Sequence, residues 1–476
     1  MANVLLGITD HYTPDVQAML QAMYSRSSSS ILDRLPSNSD SEEEHRQKFG
    51  KYYTQYMHRS VGQLGSTTIW LEGVSLLAAK AIENHPLYNG QESSTRYIDF
   101  GKQPMVSTDP FITECQKILI QVYIIAVPAT VDKLKMEFPY EGDPSDNGAY
   151  TKWENTIKAR AFDICRGILP AGVTTNVSFT GTFDLINEHF GEMLYHPCQE
   201  MREIANKVID GLAEKYSYAA MPKEKLLRNF SNVRHDFFYT NKHSFSINNI
   251  SINFGKYAEL TNDPMIGIAA AQLEFKDRDD FGLCEDLRNR AKYQKIPNIR
   301  SKEILFKMSG LLDFGSWRDL HRHRNGFITM PLLTLDYGIN QWYLDNLPMP
   351  ISRAFKNIVK SIFIESQTSN IDPSELQYCI PIGLNVPVDY RCDFNQAMYI
   401  FELRSGKTVH QTLRKLVNSW VEKTHAAFNS CGIEDLVIHN DPSEDNFTLR
   451  RGEQTFNAEL LEQFKFKPNE SDKEVK

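Results

Sequence analysis

The sequence has no surplus of basic residues, no paired cysteines and no apolar run long enough to cross a bilayer. Its 52 Lys and Arg face 60 Asp and Glu, a net charge of -8. That balance argues against a general nucleic-acid binder, whose footprint is a basic surface. A local basic cleft stays compatible with it. Seven cysteines (115, 165, 198, 284, 379, 392 and 431) are scattered with no C-x-x-C pair. The odd count and irregular spacing favour reduced thiols in a cytoplasmic protein over a disulfide framework. Met1 to Asp10 lacks a basic flank followed by a long apolar stretch, so no signal peptide is expected. The longest apolar run, Ile118 to Val127, is interrupted by Gln121 and closed by Pro128. It reads as a buried segment of a soluble protein, with no membrane span. H-E-x-x-H, G-x-x-x-x-G-K-[ST], G-x-S-x-G and a glycine-rich dinucleotide fingerprint are also missing, which removes zinc-hydrolase, P-loop and esterase readings.

What remains is a chain of 476 residues with 41% hydrophobic and 24% charged residues. That is ordinary globular composition and too long for one core, so two domains are expected. Ser25 to Glu44 is polar and serine-rich, a surface loop leading into a helix around Glu44 to His58. Glu141 to Asn147 reads as a second loop. Helical periodicity follows at about Tyr150 to Gly167 and Pro197 to Tyr216. Phe245, Ile247, Ile250, Ile252 and Phe254 suggest a strand with a bulge at Asn248-Asn249. The domain boundary is placed in this region, giving domains 1–235 and 236–476. The charged tail from Asn469 is expected to fray.

The two parts repeat. Ile69 to Ser75 reads as a strand entering a Ser-capped helix that ends near His85. Ile304 to Asp313 begins the same pattern, with Asp313 as the cap and His323 at the same interval beyond it. Ser and Asp are both strong N-caps, each contributing about 1 kcal/mol over alanine. A second correspondence links Arg166-Gly167-Ile168-Leu169-Pro170 with Gln377-Tyr378-Cys379-Ile380-Pro381, each leading through an extended segment into a helix. The halves read as diverged copies of one domain.

Two stretches carry chemistry. Arg322-His323-Arg324 is a cationic cluster suited to phosphates or an electron-rich ring. Gln91 to Tyr97 mixes acceptors, hydroxyls, an arginine and a tyrosine, which suits a small polyoxygenated ligand. Together they resemble the signature R-H-R-x-x-S-x-N-x-x-S-x-R-Y of the flavin-dependent thymidylate synthases. The first half keeps its end in Ser94, Arg96 and Tyr97, with Glu92 at a glutamate position, but has Asn84 and Pro86 for the opening arginines. The second half keeps the opening in Arg322, His323 and Arg324 and nothing of the rest. Met57-His58-Arg59-Ser60 is similar to the family's G-H-x-S pattern without its glycine. Arg166 matches the arginine before an L-P dipeptide, where the second half has Gln377. Arg404 matches the arginine closing a late F-L-x-L-R helix, where the first half is read as carrying Glu192.

The resemblance implies an α+β fold in two tandem copies, each an antiparallel sheet packed with helices. It implies reductive methylation of dUMP or a related pyrimidine nucleotide, with FAD as cofactor and NADPH and methylenetetrahydrofolate as co-substrates. Family members are homotetramers, so two chains of this kind would form a homodimer that rebuilds a pseudo-tetramer. Arg96, Arg166 and Arg404 are the candidates for the nucleotide phosphate, each charge-assisted bond contributing on the order of 1.5–3 kcal/mol. Ser94 would donate to the same phosphate, Glu92 would orient sugar or flavin, and Tyr97 would complete the substrate set. His58, Arg322, His323, Arg324 and Asn395 would hold the flavin. Arg96 and Arg322 are the expected catalytic groups, holding the pyrimidine and stabilising its negative charge.

Each residue also has a plainer reading. Arg96 and Glu92, four apart, would make an exposed helical pair of a few tenths of a kcal/mol. Arg322 to Arg324 would be a basic helix end complementing the macrodipole, or a loop gripping one ligand if the helix stops at Asn325-Gly326. His58 and His323 would be structural hydrogen bonders, and Asn395 a helix N-cap. The rival for the whole chain is a catalytically degenerate nucleotide- or flavin-binding assembly protein of the same fold. A single-stranded nucleic-acid modifier, drawing on the aromatics near Arg391 and His243, is disfavoured by the acidic balance.

Overall fold

The computed structural model describes residues 11–28, 30–96, 98–107, 109–143, 145–230, 266–269, 287–330, 332–368, 371–430 and 434–443. Tyr97, the expected strand through Phe245 and Phe254, the boundary at 235/236, His243 and the C-terminal tail lie outside the described residues.

The architecture is α+β. In the first half, strand β1 (Ser66–Ser75) pairs antiparallel with β2 (Thr174–Thr182). β1 alternates outward and inward residues and breaks register between Leu71 and Val74, where Gly73 has φ +70. A left-handed residue there suits glycine alone among the neighbours, and it lets the strand turn its end into the core. Ser75 then caps the helix Leu76–Glu83 by accepting from Ala78 N. In the second half, β3 (Ile266–Ala269), β4 (Leu305–Asp313), β5 (Phe327–Ile328) and β6 (Asn385–Asp393) form an antiparallel sheet in the order β3-β4-β6-β5. Asp313 caps the helix Phe314–Leu320 by accepting from Ser316 N.

The two halves match in strand register. Ser75 pairs with Thr174, and Asp313 pairs with Asn385. Asn89 bridges Thr180 as Phe327 pairs with Arg391. Thr182 and Asp393 cap the helices Phe183–Met193 and Phe394–Arg404, each of 11 residues. Counting from these two caps puts Met193, not Glu192, opposite Arg404, a one-residue correction to the sequence alignment. Arg166–Ile168 and Gln377–Cys379 are matching 3-10 turns.

These turns also join the halves. Ala171 N donates to Ile380 O and Ile382 N to Leu169 O, at 2.9 and 2.8 Å. Gly172 N donates to Tyr378 O and Gly383 N to Gly167 O, at 2.8 and 2.9 Å. Each bond in a pair is the other with the halves exchanged, the reciprocity of an isologous two-fold contact made within one chain. A Cβ on Gly383 would come within 2.6 Å of Gly167 O, and one on Gly172 within 2.7 Å of Tyr378 O. Only glycine allows backbones that close. One cluster of buried apolar side chains runs through both halves, from Phe49 and Phe179 to Phe306 and Trp420.

Local expectations were partly revised. The helix expected from Glu44 starts at Ser39, behind an Asn38 capping box, and ends at Gly50 before a π turn, Lys51–Gln55. The reciprocal cap decides the start ahead of the hydrophobic pattern. Pro128 does not close its apolar run but sits inside a helix, Pro110–Glu137, of 28 residues. By length and composition this helix is long enough to cross a membrane, and 39% of its apolar window is buried within the protein. Cys115, Cys165, Cys198, Cys379 and Cys392 are buried free thiols, as their spacing suggested.

Candidate functional site

Arginines from both halves converge on Asp319, at the C-terminal end of the helix Phe314–Leu320. That helix stops at Leu320, ahead of the expected Asn325-Gly326, and His321 is its C-cap. The next residues are therefore non-helical and point different ways. Tyr390 Oη fixes this turn by donating to His323 O at 2.6 Å.

Arg166, 1% exposed, donates to Ser316 Oγ at 2.8 Å and lies 3.9 Å from both Asp313 and Asp319. Arg404 donates through Nη2 to Asp319 O at 2.8 Å and through Nε to His323 Nε2 at 2.7 Å. Arg322, half exposed, lies 3.6 Å from Asp319 Oδ1. Arg96 forms a bidentate pair with Asp163, at 2.6 and 3.0 Å, and donates to Thr408 O across the joint. Burial alone would raise the Asp319 carboxyl; Arg322, Arg166, Arg404 and Arg96 instead hold it well below the usual range. The four guanidiniums thus act on one carboxylate.

A second cluster sits beside the first. Lys80, fully buried, lies 2.6 Å from Glu83 and 2.9 Å from Glu92, and Arg318 pairs with the other oxygen of Glu92. Arg324 lies 3.4 Å from Glu83 and its guanidinium sits 4.3 Å from the centre of the Tyr88 ring. Lys80, Arg96, Arg166, Arg318, Arg322, Arg324 and Arg404 stand against Glu83, Glu92, Asp163, Asp313 and Asp319. Seven cations against five carboxylates leave two positive charges, the complement of one phosphate dianion.

The structure brings together Arg96, Arg166, Arg322, His323 and Arg404. Burial and then Arg404 push His323 down to about 3, so it is a neutral imidazole that accepts from Arg404. Arg322 and Arg324 do not share a partner carboxylate: one faces Asp319 and the other Glu83. Glu92 and Arg96 are no helical pair, because Glu92 bridges Val177 in an extended segment and each binds a different partner. Ser94 Oγ accepts locally from Arg96 N at 3.3 Å. His58 is exposed, its ring beside Tyr52 and Tyr56. The Asn395 amide is taken on both sides by Ile296, and the N-cap beside it is Asp393. Neither residue contacts the arginine cluster. Asp319, Asp163, Lys80 and Arg318 were missed by the sequence reading. Lys80 carried a signal: a lone cation inside Leu76 to Ile82 needs a buried partner.

A cleft of about 470 Å³ opens next to the clusters, between Asn84-His85-Pro86 and His189 to His196 of the first half and Arg324 to Met330 of the second. Among the described residues no group of three or more His, Cys, Asp or Glu is arranged to hold a metal ion.

Residues 8–216 match the family described as thymidylate synthase complementing protein. A UPF0159 protein of Chlamydia muridarum is 24% identical over 444 residues, covering 81% of this chain and 80% of its own. A UPF0159 protein of Thermoplasma acidophilum is 22% identical, covering 77% and 84%. Among solved structures, the flavin-dependent thymidylate synthase of Helicobacter pylori, complexed with FAD and dUMP, is 15% identical at a TM-score of 0.27, over 45% of this chain and 96% of its own. A UMP/dUMP methylase of Streptomyces cacaoi bound with 5-Br dUMP is 15% identical at 0.28, over 49% and 93%. Over residues 8–216, then, the chain is similar to the thymidylate synthase complementing protein family.

Proposed function

We propose that the chain is a flavin-dependent enzyme that reductively methylates dUMP or a related pyrimidine nucleotide, with one composite site made by both halves. The observation that carries this is the meeting of Arg166 with Arg322 and Arg404 at Asp319, and of Arg96 with Asp163 beside the Thr408 carbonyl of the second half. A nucleotide phosphate would compete with Asp319 and Asp163 for these arginines, through charge-assisted and bidentate hydrogen bonds. Arg404, pinned by His323 and Asp319 O, keeps Nη1 to donate towards a pyrimidine carbonyl, where it would stabilise negative charge.

The residues fit an anionic cofactor as well as an anionic substrate. Arg322 is held by a 3.6 Å pair, and Arg324 by contacts of 3.4 and 3.5 Å and the Tyr88 ring; two of the five Arg324 N–H groups and most of those on Arg322 stay available to a pyrophosphate. FAD, when bound, would supply the hydride chemistry, with NADPH as reductant and methylenetetrahydrofolate as carbon donor. The chain's part is to bind, orient and neutralise. Exposed Ile118, Ile124 and Ile125, with Phe363 and Ile364 on the adjacent helix Met349–Thr368, support a homodimer through this face. Light scattering should give twice the chain mass, and Ile125→Glu should return it to one.

A nucleotide-binding protein without turnover is favoured by one observation: Glu92 is already bound by Lys80 and Arg318, leaving it no role towards a ligand. Reconstitution with FAD separates the two. The enzyme turns yellow and oxidises NADPH in a dUMP-dependent way; protein that takes up no FAD contradicts the proposal, and uptake without NADPH oxidation favours the rival.

A further inference from the structure

The register of the repeat gives every residue of the arginine site a counterpart in the other half. Ala81 stands where Asp319 does, Asn84 where Arg322 does, and Pro86 where Arg324 does. Met193 stands opposite Arg404, and Gln377 opposite Arg166. Ala81, Asn84, Pro86 and Met193 all line the 470 Å³ cleft. This cleft is therefore the two-fold counterpart of the arginine site without the charges of Asp319, Arg322 and Arg404, its own charged lining being Glu83, Glu192 and Arg324.

It has not filled in. Its volume is in the range of ligand pockets, roughly 300–1,000 Å³, and Phe327, Ile328 and Met330 give it an apolar wall. The cation at its edge, Arg324, is tied to Glu83 and Tyr88. His189 and His196 are pushed down to about 4 by burial first and then a neighbouring His85 or Arg202 respectively, so both are neutral imidazoles. His321, 3% exposed on the same wall, meets Asn84 Oδ1 through Nε2 at 3.1 Å, and its Nδ1 has no hydrogen-bond partner. In the tautomer that donates Nε2–H to Asn84, Nδ1 keeps a free lone pair. A buried acceptor without a partner is costly, and a donor on a ligand would satisfy it.

We propose that this cleft is a second binding site, for a neutral planar heteroaromatic ring bearing an N–H, without a phosphate. The ring packs on Phe327 and Ile328 and donates its N–H to His321 Nδ1. A nucleoside base and a flavin-type ring share this chemistry. The inference rests on the nucleotide reading only for the choice of probes.

The test is calorimetric titration of full-length protein, pre-saturated with dUMP, with uridine, 3-methyluridine and lumiflavin. Uridine or lumiflavin binds once per chain, at least fivefold more weakly in Phe327→Ala, an exposed edge position, and unchanged in Arg322→Ala. 3-Methyluridine, which lacks the ring N–H, binds at least tenfold more weakly than uridine. Uridine alone identifies a base as the source, and lumiflavin alone a flavin-type ring, for which 3-methyllumiflavin is the methylated control. Binding of neither, binding lost in Arg322→Ala but kept in Phe327→Ala, or equal binding of the methylated ring overturns the proposal. Failure of dUMP to bind at all would overturn the proposed function and leave these readouts intact.

Discussion

Lys80 and Arg318 occupy the same position in the two halves and close on the two oxygens of one carboxylate, Glu92. Equivalent helices thus meet at a shared anion, and the arginine cluster is assembled around that joint. A buried charge held from both sides fixes register as well as energy.

Glu92→Gln leaves two buried cations facing a neutral amide. Breaking a buried ion pair on one side costs about 3–5 kcal/mol, and urea unfolding should show a loss of that size. A change under about 1 kcal/mol would mean water already solvates the pair.

The same joint shows what was readable in the sequence. Caps and the repeated strand–helix order were visible, because Ser75 and Asp313 cap the helices they begin. Arg96, Arg166, Arg322 and Arg404 were also nameable, through the split motif. What stayed hidden was pairing across more than eighty residues: Glu92 with Arg318, Arg324 with Glu83, Arg404 with Asp319. A carboxylate that ends a short helix carries no sign of how many arginines will face it. His58 and Asn395 were named for residue type, and their type serves local contacts instead.

Gly383→Ala would push a methyl into Gly167 O. Overpacking of this kind costs about 1–3 kcal/mol. A fall in thermal midpoint should accompany it, with the secondary structure of each half unchanged by circular dichroism. An unchanged midpoint would mean that the halves are not held by these backbone bonds.

Acid should weaken the fold before its carboxylates titrate. Burial first, then neighbouring cations or His85, lowers His189 and His196 to about 4 and His323 to about 3. Unfolded imidazoles titrate near ~6.5. Below that value the unfolded chain takes up protons that the folded one refuses. Stability is therefore full above ~6.5 and falls towards pH 4, by about 1.4 kcal/mol per pH unit for each imidazole. Urea titrations at several pH values measure the slope, and His189→Gln should reduce it by one proton. A flat profile between pH 7 and 5 would contradict the buried neutral assignment.

Arg404→Lys keeps the charge and loses the fork that reaches both His323 and Asp319 O. One charge-assisted contact of about 1.5–3 kcal/mol corresponds to roughly ten- to a hundredfold in dUMP affinity. Titration calorimetry should show that loss, with the thermal midpoint within a few degrees of the parent.

In the proposed composite site, one nucleotide binds per chain between residues of both halves. Calorimetric titration of dUMP into FAD-loaded protein, parent beside Arg96→Ala and Arg322→Ala, tests it most directly. Arg322 is half exposed, whereas Arg96 holds buried Asp163, so the thermal midpoint of each variant is read beside its affinity. The prediction is one dUMP per chain, bound at least tenfold more weakly in either variant. An affinity lost in Arg96→Ala but unchanged in Arg322→Ala would put the site in the first half alone, and the composite site would be wrong.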